Sequence, residues 1–353
     1  MTPPAARTLL GLAVSLTVAL GSAAHALTLP EALDSVPTRS SVVNAEAELA
    51  DARTNLNRVR RDPLAVRADT LGAEQRLALA ESSLERTRYA AQRELTAAYT
   101  GVLQANAQVA LAEQSLALSE RALRVAAIRL ENGSATQLDL QDAEASLNEA
   151  QNGLRAAREG QGIALSNLTG ILGRPVAADD LERLPEDFLT PLPPLETALR
   201  SAERHPDLLT VAQQAELAEL GASVLDPLYA PQTQIDTAES QLAGARTGLA
   251  EAERGFRLQV RNLYAAAENA REALRLETAA RANAAVRLRT QRQRFDGGLI
   301  SQIEFDQARL ADAQAELEAE NARIAYLGAL LELQAGSLVP LGGPLNAALG
   351  RPE

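Results

Sequence analysis

Apolar residues recur every seven positions through two long stretches of the chain. In the first, Leu95, Val102, Val109, Leu116, Leu123 and Leu130 form one column. Ala91, Ala98, Ala105, Ala112, Ser119 and Ala126 form a second, four residues before each. Spacing that alternates four and three is the seam of a coiled coil, and small residues in one column let helices approach closely. After a break at Asn132-Gly133 the seam resumes as Leu140, Ala143, Leu147, Ala150, Leu154 and Ala157. The pattern predicts two antiparallel helices joined by a tight turn. In the second stretch Leu242, Leu249, Phe256 and Leu263 run beside Ala238, Ala245, Ala252 and Ala266, and past Gly297-Gly298 come Ile303, Leu310, Leu317, Ile324 and Leu331.

Proline placement agrees with the periodicity. None occurs between Pro63 and Pro175 or between Pro231 and Pro340, whereas Pro185, Pro191, Pro193 and Pro194 crowd one segment. An interior proline removes a helix hydrogen bond and clashes with the preceding turn, so only the proline-free stretches can be long helices. The two halves align at an offset of 165, pairing Tyr99 with Tyr264, Arg129 with Arg294, Gly133 with Gly298 and Gln137 with Gln302. At an offset of 164, Asp62-Pro63-Leu64 matches Asp226-Pro227-Leu228. The chain is therefore an internal duplication. Each half is expected to hold a shorter helix (about 30–61, then 196–225), a break at Asp-Pro-Leu, a very long helix, a glycine turn and a returning helix. An unbroken helix from Ala65 to Glu131 would reach roughly 100 Å. The expected fold class is all-α, with two long antiparallel coiled-coil hairpins. The expected divisions are a leader at 1–26, a first repeat at 27–172, a proline-rich linker at 173–194, a second repeat at 195–337 and a tail at 338–353.

The leader follows from Arg7, the apolar run Leu9 to Ala23, and the small-x-small site Ala24-His25-Ala26. Together these read as a cleaved export signal, since fifteen apolar residues fall short of the roughly 20 that span a bilayer. Cleavage would remove one Arg and no acid, taking the formal charge from -12 to -13.

Composition narrows the function. All 34 basic residues are Arg, set against 46 acids, and the excess of acid argues against nucleic acid as a partner. With no Cys there is no disulfide, Cys-ligated metal, Cys nucleophile or lipid-bearing N-terminal Cys. With no Lys there is no Gly-x-x-x-x-Gly-Lys phosphate loop, and Gly-x-Ser-x-Gly is absent too. His25 leaves with the leader, and His205, ahead of Pro206, is expected at the surface; one histidine supplies neither a metal cluster nor a triad. No enzymatic activity and no cofactor are expected.

The candidate residues lie at the hairpin tips. Thr136-x-x-Asp139 and Ser301-x-x-Glu304 each place a hydroxyl at a helix N-cap and a carboxylate three residues on, the pattern of a capping box. Gly133 and Gly298 precede them, where a left-handed residue is needed. A cap is worth only about 1 kcal/mol, so local structure alone would explain these residues. Their duplication points further, because loops on a rigid scaffold are where binding residues tend to sit.

These features resemble the TolC family of outer-membrane efflux proteins over nearly the whole mature chain. Leu27-Thr28-Leu29-Pro30-Glu31-Ala32-Leu33 is similar to the family's approach to its first helix, and Ala198 to Leu208, with His205-Pro206-Asp207-Leu208, to the matching approach in its second repeat. Asn167-Leu168 to Leu172-Gly173-Arg174-Pro175 resembles the end of the first repeat. The tip pattern occurs twice: Arg four before Gly, a hydroxyl three after it and an acid six after it.

The resemblance implies a homotrimer whose hairpins form a twelve-helix periplasmic tube, fed by an inner-membrane pump through periplasmic adaptor (membrane fusion) proteins. It implies adaptor contact at Arg129, Gly133, Thr136, Arg294, Gly298 and Ser301. Acids just inside the tips would ring the entrance; the counterparts are Asp139, Asp142 and Glu304, with Gln307 standing where a further acid is expected and Asp306 beside it. The protein would be exported, in the periplasm or associated with the outer membrane. One departure stands out. The family inserts two strands between the short and long helices of each repeat, and a pair with its turn needs over twenty residues. Only about a dozen lie between Pro63 and Leu77, and no more between Pro227 and Ala238, without alternating apolar residues or aromatic girdles. Two readings remain: a conduit component for efflux or secretion, and a structural coiled-coil protein of the envelope that conducts nothing. A pump adaptor fits less well, because strand-rich modules would flank its hairpin.

Overall fold

A computed structural model describes residues 27–184 and 189–342. The expected leader, part of the proline-rich linker and most of the expected tail lie outside them. Among the described residues eight α-helices run in order: α1 Leu29–Leu33, α2 Ser40–Arg61, α3 Arg67–Glu131, α4 Gln137–Leu172, α5 Leu195–Ala202, α6 Pro206–Ser223, α7 Gln232–Asp296 and α8 Gln302–Ser337. Short 3₁₀ turns occupy Val36–Thr38 and Ala178–Asp180. Among the described residues there is no β-strand, only an isolated parallel bridge between Leu27 and Leu181. The all-α expectation holds.

Helices α3 and α7 have 65 residues each, about 98 Å at 1.5 Å per residue. Their returning partners α4 and α8 have 36 each. The shorter helices differ from expectation. Instead of continuous helices over 30–61 and 196–225, each is broken once near its start, at Pro37 and at Pro206. Proline disfavours helical geometry in the residue before it and removes an amide donor, so the helix stops and restarts.

Polar pairs record the packing register. Arg39–Glu94, Arg88–Glu46, Arg53–Glu81 and Arg60–Glu74 tie α2 antiparallel to α3. Exposed pairs of this kind contribute at most about 1 kcal/mol each, so they specify alignment more than stability. Arg93–Glu332, Gln104–Asn321 at 3.1 Å and Arg121–Asp306 likewise tie α3 antiparallel to α8 from Arg93 to Arg121. Since α3 runs toward the first tip and α8 away from the second, both tips point to the same end. In the tip half the helices lie in the order α4, α3, α8, α7, because α3 packs on both α4 and α8 while α7 packs on α8.

The main core sits toward the opposite half, where α1, α2, α3, the end of α4 and α8 converge with the linker. Leu29, Leu33, Leu95, Tyr99, Val102, Leu168, Leu327 and Leu330 are fully buried there. The Tyr99 hydroxyl donates to the carbonyls of Leu27 and Glu182, at 2.7 and 2.6 Å, pinning the segment ahead of α1 and the linker to the middle of α3. Desolvation raises the Tyr99 pKa and keeps it a neutral donor. The linker is held to α3 by Asn106 donating to the Ala178 carbonyl at 2.8 Å, and to α8 by Tyr326 donating to that of Thr190 at 3.1 Å. A smaller cluster joins α5 to α7 and α8 through Ala198, Ala202, Val260 and Leu333.

His205 overturns its expected surface position. It is 4% exposed, its ring lies 4.7 Å from that of Phe256, and its Nδ1 accepts from the Asp207 amide at the start of α6. The break before Pro206 turns the imidazole inward, and packing on α7 then buries it.

Candidate docking site at the hairpin tips

Both tips are built alike. The Gly133 amide donates to the Leu130 carbonyl at 2.9 Å, and the Ser134 amide to that of Arg129 at 2.8 Å. In the second hairpin Gly298 donates to Phe295 at 2.8 Å and Leu299 to Arg294 at 2.8 Å. These bonds close the C-termini of α3 and α7, and they require a left-handed residue at the turn. Gly133 and Gly298 supply it, with φ of 67° and 72°.

The returning helices begin with complete capping boxes. The Thr136 amide and hydroxyl both donate to Asp139 Oδ2 at 2.7 Å, and the Asp139 amide donates back to Thr136 Oγ1 at 3.2 Å. Ser301 donates from its amide and hydroxyl to Glu304 Oε2 at 2.7 and 2.8 Å, and the Glu304 amide returns one at 3.3 Å. Hydrogen bonds from the cap backbone, then from the cap hydroxyl, hold both carboxyls below their ordinary pKa values.

Of the ten residues singled out from the sequence, Arg129, Gly133, Thr136, Asp139 and Asp142 are exposed on the first hairpin, and Arg294, Gly298, Ser301 and Glu304 on the second. Asp306 sits elsewhere. Its carboxylate is 12% exposed and lies between α3 and α8, ion-paired with Arg121 and accepting from Gln302 at 3.0 Å. It links the two hairpins rather than joining the exposed acids.

Sequence reasoning missed two parts of the tips. Phe295 and Phe305 stack at 5.0 Å across the second turn, fastening α7 to α8 just behind the glycine. At the repeat offset their counterparts are Leu130 and Leu140, so the duplication held a signal for this clasp. The exposed apolar tip side chains Ile128, Leu138 and Leu299, at 57, 64 and 73%, form the second. A seam analysis passes over residues that lie off the seam.

The site is thus a pair of rigid, solvent-exposed turns at one end of a layer of helices, each offering Arg, a capped acid and an apolar side chain. That chemistry suits protein contact.

Residues 65–174, which span the whole of the first hairpin, match the family described as outer membrane efflux protein. The fold is TolC-like. A membrane protein from Pseudomonas aeruginosa is similar at 17% identity and a TM-score of 0.61, covering 87% of this chain and 93% of that one. The CmeC outer membrane channel of Campylobacter jejuni gives 12% identity and a TM-score of 0.60 over 87% and 85%. The outer membrane protein VceC of Vibrio cholerae gives 14% and 0.57 over 88% and 96%. At these identities the TolC-like likeness is one of fold. Among curated proteins, none matches the sequence significantly. The strands that the family resemblance implies are missing from this TolC-like chain at both Asp-Pro-Leu segments, which form turns.

Proposed function

We propose that the protein is an exported component of an envelope efflux or secretion conduit, located in the periplasm or at the outer membrane. Three chains would close a helical tube whose tips dock to a periplasmic adaptor (membrane fusion) protein serving an inner-membrane pump. The observation that carries this reading is the pair of matching exposed tips at one end, on a TolC-like frame.

The edges of the helical layer support the trimer. Toward the tips α4 and α7 each lack an outer neighbour among the described residues of one chain, although α5 and α6 pack on α7 farther back, and both expose apolar residues there: Ile163 at 72% on α4, and Leu276 and Val286 at 54 and 57% on α7. Packing α4 of one chain against α7 of the next would cover them and close the ring without a free edge. Asp139, Asp142 and Glu304 of three chains would then supply the entrance acids.

Reversing Arg129 and Arg294 to Glu tests the docking. The expected outcome is loss of drug tolerance or secretion in cells, with helicity and oligomer size unchanged, because exposed residues contribute little to stability. A second reading, a non-conducting strut, is favoured by the missing strands at Asp62-Pro63-Leu64 and Asp226-Pro227-Leu228. It predicts silence from the Arg reversals, and loss of envelope integrity only when Val109, Leu116 or Leu123 becomes charged.

A further inference from the structure

In the half of the molecule away from the tips, the helical layer has different edges. There α3 lies between α2 and α6, and α7 packs on α6. One edge of the chain is therefore α2, and the other is the first half of α7. Contacts through the layer fix their relative height. Glu46 pairs with Arg88, Arg86 with Asp207, and His205 packs on Phe256. Arg53 pairs with Glu81, and the neighbouring Ser82 hydroxyl donates to the Arg204 carbonyl, next to His205. Both routes bring the stretch of α2 from Glu46 to Arg53 level with Phe256 of α7.

The two edges match in shape at that level. On α2, Val42, Ala45, Leu49 and Leu56 are buried, and the opposite face carries Val43, Ala47, Ala50 and Thr54, all exposed and spaced by four, three and four. On α7, Val260 and Ala267 are buried, while Thr247, Glu251, Arg254, Leu258, Arg261 and Ala265 form an exposed stripe with the same alternation. Such spacing is that of a coiled-coil seam, and small residues opposite a leucine let two helices close on each other. Leu258, 61% exposed, stands two residues from Phe256 and so comes level with Ala47 and Ala50.

They match in charge as well. Between Ser40 and Ala52, α2 has the acids Glu46, Glu48 and Asp51 and no base; between Arg254 and Ala267, α7 has Arg254, Arg257 and Arg261 and no acid. Glu46 is engaged by Arg88, but Glu48, Asp51 and the three arginines are exposed and form no ion pair among the described residues. Toward the Asp-Pro-Leu turns the signs change on both edges, with Arg58 on α2 and Glu251 on α7.

We infer that α2 of one chain packs antiparallel on the first half of α7 of the next, seating Leu258 over Ala47 and Ala50 and setting Glu48 and Asp51 against Arg254, Arg257 and Arg261. The inference rests on the proposed closed ring, in which neighbouring chains stand at one level. Packing α2 on α2, or α7 on α7, would set like charges together, so the pattern favours the head-to-tail contact that closes a ring.

The chain has no cysteine, so a single pair can be introduced to test the contact. In Ala50→Cys with Leu258→Cys, a short bis-maleimide should link chain to chain up to the full assembly, whereas either substitution alone should leave the chains unlinked. Light scattering over a range of concentrations supplies a second readout. Glu48→Arg with Asp51→Arg should weaken assembly about tenfold or more, and so should Arg254→Glu with Arg261→Glu. All four changes in one chain should restore it, and high salt should shrink the differences. Helicity should stay as in the wild type, since all these side chains are exposed. The inference is overturned if the double-cysteine chain links no better than the single ones, if neither charge reversal alters assembly, or if the four-change chain is as weak as either pair. A wild-type monomer would overturn the ring as well. A ring broken by Ile163→Asp or Leu276→Asp but indifferent to these changes would overturn the contact between α2 and α7 alone.

Discussion

Arg121 of α3 is ion-paired with Asp306 of α8, and this pair joins the first hairpin to the second close behind their tips. The Asp306 side chain is 12% exposed and that of Arg121 35%, so the pair is partly withdrawn from water. Among the described residues only Arg309, at 4.0 Å, offers Asp306 a second cation. Removing one partner of a fully buried pair costs about 3–5 kcal/mol, chiefly for the charge left behind. Here partial exposure lowers the cost. Arg121→Ala is expected to destabilise by about 1–3 kcal/mol, and Asp306→Asn by less. A double-mutant cycle followed by thermal melting of helical circular dichroism checks this, and a coupling energy near zero would mean that the pair does not hold the hairpins together.

The capping boxes predict a local effect with a defined pH dependence. Thr136→Ala and Ser301→Ala should each weaken the first turn of their helix by about 1 kcal/mol at neutral pH. Asp139 and Glu304 have pKa values lowered in the fold, so their contribution is present above the ordinary carboxylate values of 3.8 and 4.5 and is lost as pH falls through the lowered ones. Hydrogen exchange at the starts of α4 and α8 should show wild type and variants differing at pH 7 and converging in acid.

His205 gives a second pH effect at a separate place. Desolvation is the largest influence on it and lowers its pKa below 6.5; Asp207 opposes this and Arg86 reinforces it. Because the folded pKa is depressed, folding disfavours the protonated ring. Stability is full above 6.5 and falls as pH drops toward the folded value. His205→Asn keeps a capping acceptor ahead of α6 and should remove that slope. Thermal midpoints of the two proteins between pH 7.5 and about 5 decide it; parallel curves would contradict the assignment.

What could be read from the sequence and what could not divide along physical lines. The seven-residue columns from Leu95 to Leu130, and the glycines after them, report interactions within one helix or across one turn. The sequence therefore displayed the long helices and the capped tips directly. Which helices neighbour each other depends on pairs far apart in the chain, such as Gln104 with Asn321, and heptad spacing says nothing about them. For the same reason the local sequence sets Asp306 beside the exposed acids, although its partner, Arg121, lies on the other hairpin. The burial of His205 comes from Phe256 on α7, and the neighbouring residues in sequence carry no sign of it beyond the proline that follows.

Seam burial gives the account its clearest forecast. Leu95 and Val102 are fully buried in one chain, whereas Val109, Leu116, Leu123 and Leu130, nearer the tip, are only partly covered. In the tip half one chain supplies a single layer of helices, and the proposed tube would supply the further cover from other copies. Light scattering on the purified chain at micromolar concentration tests this most directly. The predicted result is a particle of three chains, each 37.4 kDa less any removed leader, that falls to one chain when Ile163 on α4 or Leu276 on α7 is changed to Asp. A stable monomer in the wild type, or a trimer indifferent to both substitutions, would contradict the closed helical tube.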